Sequence, residues 1–299
     1  NLRKTGDVAP RRFPRLISTG NTGTYQNGSG RIELANAIVH ADNPLTTRVF
    51  VNRIWMHHFG AGLVRTPSNF GTMGEKPSHP QLLDWLASEF VADGWSLKSL
   101  HRKIMNSQTY QLSSANNPEA FHRDGDNRWL WRMSPRRMDV ESFRDSLLAV
   151  TGELDVQSGG PSLPDTTRNN RRTLYAKVSR NGDVFDSDRF LRRFDFPLMR
   201  ATVAQRPNSI VPQQFLFLLN SDFMMARAKS LAQRLDSTGK SDAEKIHQVY
   251  RWLYSREPNP EEIEIGLQFV NNSQNTDRLS NWDRYAQVLL SANEFMYVR

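Results

Sequence analysis

The stretch NPLTTRVFVNRIWMHHFGAGLVRTPSNFG, residues 43–71, sets Arg48, Asn52, Arg53, His57 and His58 among apolar side chains. Arg48 and Asn52 are one helical turn apart, as are Arg53 and His57, so a helix here carries two polar stripes about 140° apart. Val49, Val51, Ile54, Trp55 and Phe59 occupy the remaining directions. A helix that is apolar on most sides is packed on most sides, and a buried arginine must meet carboxylates or carbonyls. Asp84, Glu141 and Asp145 are the expected partners, and Arg137, Glu141 and Asp145 themselves recur at helical spacing. Arg48, Asn52, Arg53, Asp84, Arg137, Glu141 and Asp145 are therefore expected to form a buried polar network. A ligand-binding role for the same groups is the alternative.

Acid/base chemistry from these residues would use His57 or His101 as the base, with Asp84 to orient it. Nucleophilic catalysis has no foothold, because no G-x-S-x-G elbow and no glycine-rich phosphate loop occurs. His57 and His58 are adjacent and point about 100° apart on a helix, which disfavours a shared metal. The histidines at 40, 57, 58, 79, 101, 122 and 247 lack any metal-binding spacing, so no metal site is expected. With no cysteine, the chain also has no disulfide, thiolate zinc site or c-type haem attachment, and no cofactor is expected in this segment.

A second constellation is RRTLYAKVSRNGDVFDSDRFLRRFDF, where Arg172, Arg180, Arg192 and Arg193 interleave with Tyr175, Phe190 and Phe194. Guanidinium groups beside aromatic rings suit sulfated or carboxylated glycans, or nucleic acid, through bidentate contacts and stacking. Between residues 171 and 206 nine Lys/Arg face four Asp, a balance of +5 that holds most of the +8 of the whole chain. Residues 236–299 carry seven basic and ten acidic groups, a balance of −3, so the basic character is local and argues against nucleic acid as the partner. Arg172, Tyr175, Arg180, Arg192, Arg193 and Arg206 are the polyanion-binding candidates. Neutralisation of these arginines by Asp183, Asp186, Asp188 and Asp195 is the competing expectation.

Helices must position these groups. Residues 1–28, rich in Pro, Arg, Gly and Ser, read as a linker from a preceding domain, and 29–299 as a single mainly helical domain. Ser29 is placed to cap a helix with Ile32, Ala35 and Val39 on its buried side. The stretch containing Arg48 to Phe59 stops at Gly60, a left-handed cap. Pro80 opens a helix burying Leu82, Leu83, Leu86 and Phe90, and Ser96 caps one burying Leu97, Leu100 and Ile104. Another runs through Val140, Phe143, Leu147 and Leu148 to Gly152. Helical patterns resume in VPQQFLFLLNSDFMMARAKSLAQRL, then in 241–255, in 260–272, where Asn259 caps, and in NWDRYAQVLLSANEFMYV. RTLYAKVSR alternates as a short strand would. The expected fold is mainly α, a multi-helix globular domain with a short β or irregular basic insertion at 156–208 that joins sub-units 29–155 and 209–299. No apolar run reaches the roughly 18 residues a membrane span needs.

Four of these stretches, NPLTTRVFVNRIWMHHFGAGLVRTPSNFG, HPQLLDWLASEFVADGWSLKSLHRKI, RRMDVESFRDSLLAVTG and VPQQFLFLLNSDF, followed by LLSANEFMYV, resemble a known family in their order and spacing. It is the planctomycete domain of unknown function that lies C-terminal to a planctomycete cytochrome c domain in large exported proteins. The resemblance implies an extracytoplasmic, periplasmic or cell-surface location, with neighbouring domains that carry haem or bind carbohydrate. It implies no reaction. The start at Asn1 and the segment NLRKTGD fit a join to such a preceding domain. The functional expectation is a helical scaffold and interaction module whose partners are other domains of the same polypeptide. An enzyme or binding module acting on an acidic polysaccharide through the arginine-rich insertion is the alternative.

Overall fold

The computed structural model describes residue 6 and residues 9–17, 23–181, 186–272 and 279–298. The chain separates after Ser134 into two compact units, so the 156–208 stretch belongs with the C-terminal helices. It is mainly α, and the described residues form one sheet of only two short strands.

In the first unit, α1 (Arg31–Val39) starts after Gly30, with no side-chain cap from Ser29, and buries nothing. The expected buried face of Ile32, Ala35 and Val39 is exposed, Ile32 by 77%. Helical spacing aligns side chains on one face, but burial also requires an element opposite that face. α2 (Thr46–Phe59) ends as the sequence predicts, at Gly60 with φ 83° and its N–H on the Met56 carbonyl. α2 packs on α3 (Pro80–Ala92), which is followed by α4 (Leu97–Met105). Val51, Trp55 and Phe59 share a core with Leu83, Leu86, Phe90, Leu100 and Ile104. Ser96 caps α4 through the Ser99 N–H, whereas Leu97 is exposed instead of buried because it starts the helix on its outer side. The short α5 (Pro118–Arg123) is capped by Asn117.

The second unit opens with β1 (Arg136–Arg137) and closes with β2 (Tyr297–Val298), which pair antiparallel with Arg136 opposite Val298. Asp139 caps α6 (Val140–Thr151), and Gly152 ends it at φ 78°. α7 (Asp186–Arg193) lies in the insertion. The run that reads as one helix from Pro212 is two, α8 (Pro212–Asn220) and α9 (Asp222–Asp236). Ser221 has extended backbone between them and accepts the Met224 N–H at 3.3 Å. α10 (Asp242–Tyr254), α11 (Pro260–Asn271), α12 (Asn281–Ser291) and α13 (Asn293–Met296) complete the unit. Asn259 and Glu262 exchange two 2.8 Å hydrogen bonds across the start of α11, a reciprocal cap. α9 is the hub, packed on α12, α6 and α8. Its Leu231 and Leu235 meet Leu147, Leu218 and Leu290 in the core. RTLYAKVSR is not a strand: it holds a 3₁₀ turn, Thr173–Tyr175, and isolated bridges from Asp155 to Arg171 and from Leu163 to Ala176. No helix among the described residues is long and apolar enough to cross a membrane.

Candidate functional site

One face of α6 presents Glu141, Ser142, Asp145, Ser146 and Ala149, spaced so that they lie along a single stripe. That stripe is one wall of a cavity of about 640 Å³. The facing wall comes from the insertion: Arg172, Thr173, Leu174, Ala176, Val178, Leu191, Phe196 and Met199. The site is thus polar along the helix and largely apolar opposite.

Arg144 holds the insertion in place. Its side chain is 0% exposed, and its guanidinium donates to the backbone carbonyls of Thr166 at 2.7 Å and Arg171 at 2.8 Å, to the Asn169 carbonyl, and to Thr173 Oγ1 at 3.1 Å. Burial pulls its pKa below the ordinary arginine value, and the neighbouring Asp145 carboxylate opposes that shift. Loop carbonyls thereby find donors that no strand ladder supplies. Asp145 Oδ1 accepts the Thr173 N–H at 2.8 Å and the Thr173 hydroxyl at 2.6 Å. Its Oδ2 lies 3.9 Å from Arg172 Nε, too far for a hydrogen bond. Glu141 takes a bidentate contact from Arg206 at 2.7 and 2.8 Å, which raises the Arg206 pKa. Arg206 also lies over the Phe196 ring, 5.4 Å from its centre.

The remaining arginine-rich residues divide by position. On α7, Phe190 and Leu191 point inward, as does Phe194 just beyond it, while Arg189, Arg192 and Arg193 are exposed. Arg193 covers the Phe217 ring at 5.0 Å. Arg180 is exposed, and its carbonyl accepts from Arg200 at 3.2 Å. Tyr175 is taken up within the loop: Arg171 stacks on it at 3.9 Å and its hydroxyl accepts the Gly159 N–H. Of the aspartates expected to neutralise the arginines, Asp195 accepts from the Ser209 N–H and hydroxyl at 2.9 and 2.6 Å and pairs at 3.8 Å with Arg137, which lies outside the insertion. Asp183 and the side chains of Asp186 and Asp188 lie outside the described residues.

The expected polar network is two separate arrangements and not one. In the first unit, Asn52 is fully buried and exchanges hydrogen bonds with the Val64 N–H and carbonyl at 2.8 and 2.9 Å, pinning the chain after α2. Gly62 passes so close that a Cβ there would meet Val64 O at 2.6 Å and Asn52 Nδ2 at 2.7 Å. Arg48 pairs with Asp84 at 2.7 Å, but both are partly exposed. Arg53 is exposed and belongs to no buried network, because its stripe is the solvent side of α2. In the second unit, Arg137 donates to the Ser209 carbonyl at 2.6 Å and to Gln214 Oε1 at 3.2 Å, while Glu141 and Asp145 serve the cavity.

The proposed base and its orienter are not assembled as the sequence suggests. Asp84 is engaged by Arg48, and His101 Nδ1 lies 2.7 Å from Nε2 of His58, not His57. His57 is exposed, whereas His58 is half-buried against the Tyr110 ring edge. Adjacent histidines in sequence give no sign of which one turns inward. Among the described residues, no three His, Asp or Glu side chains converge on a metal position.

No curated protein and no solved structure matches the chain. Residues 30–270 match the model of PSD1, a protein of unknown function (DUF1553), and the chain belongs to that family.

Proposed function

We propose that this chain is a helical scaffold and interaction module that holds an acidic polysaccharide against its second unit. The observation that carries the reading is the sidedness of α7: packing of Phe190 and Leu191 into the core leaves Arg189, Arg192 and Arg193 on the exposed side. Arg180 adds an exposed cation on the same insertion. The pair that acid/base catalysis was expected to use is not assembled, because Asp84 is engaged by Arg48 and His101 lies against His58. Binding is therefore favoured over an enzymatic role. The family resemblance supports placing the module in an exported, planctomycete-type multidomain protein, where haem belongs to a neighbouring cytochrome c domain.

Retention on a heparin column across a salt gradient tests the binding reading. Wild type should elute late and lose affinity steeply with salt, since exposed charges are screened over about 8 Å at physiological ionic strength. Arg192→Ala/Arg193→Ala should elute earlier, while Lys98→Ala/Lys229→Ala, which removes exposed cations elsewhere, should elute near wild type. Elution of wild type at low salt, or equal losses from both double variants, overturns the proposal.

A further inference from the structure

Resting on the polysaccharide reading, we infer that the cavity between α6 and the insertion is a subsite for one carboxylated sugar residue, a hexuronate, of the bound chain. Its volume of about 640 Å³ lies within the range of clefts that take small ligands, roughly 300–1,000 Å³.

Arg172 supplies the anion contact. Its side chain is 54% exposed on the cavity wall, and its approach to Asp145 at 3.9 Å is not a hydrogen bond. A ligand carboxylate can take two of its N–H groups side by side without displacing an existing bond. The opposite wall asks for hydroxyl groups. Ser142 offers a hydroxyl, Ser146, whose O–H donates to Met138 Sδ at 3.7 Å, offers an acceptor oxygen, and Asp145 Oδ2, outside the Thr173 contacts, is an acceptor for a sugar O–H. Leu174, Val178, Phe196 and Met199 complete the cavity as a surface for the C–H face of a pyranose ring.

Charge selects the class of anion. Glu141 and Asp145 stand against Arg144, Arg172 and Arg206, so the site carries one positive charge in excess. A monoanion rich in hydroxyls fits that field. A densely sulfated sugar would bring several negative charges against two carboxylates, which repel it.

The full chain should be titrated calorimetrically with trigalacturonate, with maltotriose as the uncharged comparison. Wild type should bind trigalacturonate and not maltotriose. Arg172→Gln should weaken binding by about tenfold or more, the loss of one bidentate charged contact. Ala149→Phe, which projects a ring into the cavity from an exposed helix position, should abolish it. Arg192→Ala/Arg193→Ala should bind the trimer as wild type does, although its heparin retention falls. Trimer binding that is insensitive to both Arg172→Gln and Ala149→Phe overturns the subsite, and so does equal binding of maltotriose. Heparin retention without trimer binding also overturns the subsite while leaving the polysaccharide reading intact. Trimer binding sensitive to Arg172→Gln, without heparin retention, removes that reading and leaves the subsite standing.

Discussion

Arg144 Nε donates to the Thr166 carbonyl at 2.7 Å, from a side chain with no exposed surface. The relationship makes a buried cation the organiser of a segment that has little regular structure of its own. Arg144→Leu keeps the bulk near the helix but strips donors from the carbonyls of Thr166, Asn169 and Arg171. The variant should lose about 3–5 kcal/mol of stability, as expected when one side of a buried charged network is removed. Urea unfolding checks this, and a midpoint equal to wild type would contradict the account.

Three neighbours on α2 should rank by burial and not by charge. Asn52→Ala leaves the Val64 N–H and carbonyl without partners and should cost roughly 2–4 kcal/mol. Arg48→Ala removes a half-exposed pair and should cost about 1 kcal/mol or less. Arg53→Ala, on the solvent side, should stay within about 0.5 kcal/mol of wild type. Thermal unfolding of the three variants tests the order, and a larger loss from Arg53→Ala than from Asn52→Ala would reverse it.

Gly62→Ala should be poorly tolerated although its backbone is not in the left-handed region, because the added methyl meets Val64 O and Asn52 within 3 Å. The expected loss is about 1–3 kcal/mol, the usual cost of overpacking. A variant as stable as wild type would mean that the loop after α2 shifts freely.

Stability should fall in acid through the Arg256 cluster. Arg256 donates to both oxygens of Glu262 at 2.7 and 2.8 Å and to Glu294 at 2.8 and 2.9 Å. The Arg256 hydrogen bonds hold the Glu262 carboxyl below the usual carboxylate range. A group with a depressed folded pKa stabilises the protein above its unfolded pKa, and that contribution is lost as pH falls through the folded value. Arg256→Gln should therefore be clearly less stable than wild type at neutral pH, with the gap closing as the medium is acidified below the ordinary glutamate pKa of about 4.3. A gap independent of pH, followed by unfolding at several pH values, would exclude this linkage.

Helix ends were the most legible feature of the sequence, because a cap is a local event. Ser96, Asn259, Gly60 and Gly152 each act where residue type alone places them. The break at Ser221 carried the same signal, a serine followed by Asp222, but an uninterrupted apolar pattern hid it. Burial was less legible. Ile32, Ala35 and Val39 have helical spacing without an opposing element, and Arg53 shares its stripe logic with the buried Asn52 only on paper. The candidate site was half readable: Glu141, Asp145 and Arg172 were marked by type, but not their meeting at one cavity, nor the pairing of Arg206 with Glu141. Arg144 sits beside Asp145 in sequence with nothing to mark it as fully buried, since three of its partners are backbone carbonyls, at 166, 169 and 171, that carry no residue-type signal.

The pairing of β1 with β2 makes the second unit a closed circuit of chain. Arg137 and Tyr297 stand opposite each other, and the Met138 N–H reaches the Met296 carbonyl at 2.8 Å, so the path ends where it began. Such a unit can be cut and rejoined without losing a helix: a short linker across the strand pair would join β2 to β1, and new ends could open at Gly239, in the exposed turn between α9 and α10. The order of the helices along the chain is then secondary to their packing around α9, and a permuted unit tests whether the cavity depends on that packing alone.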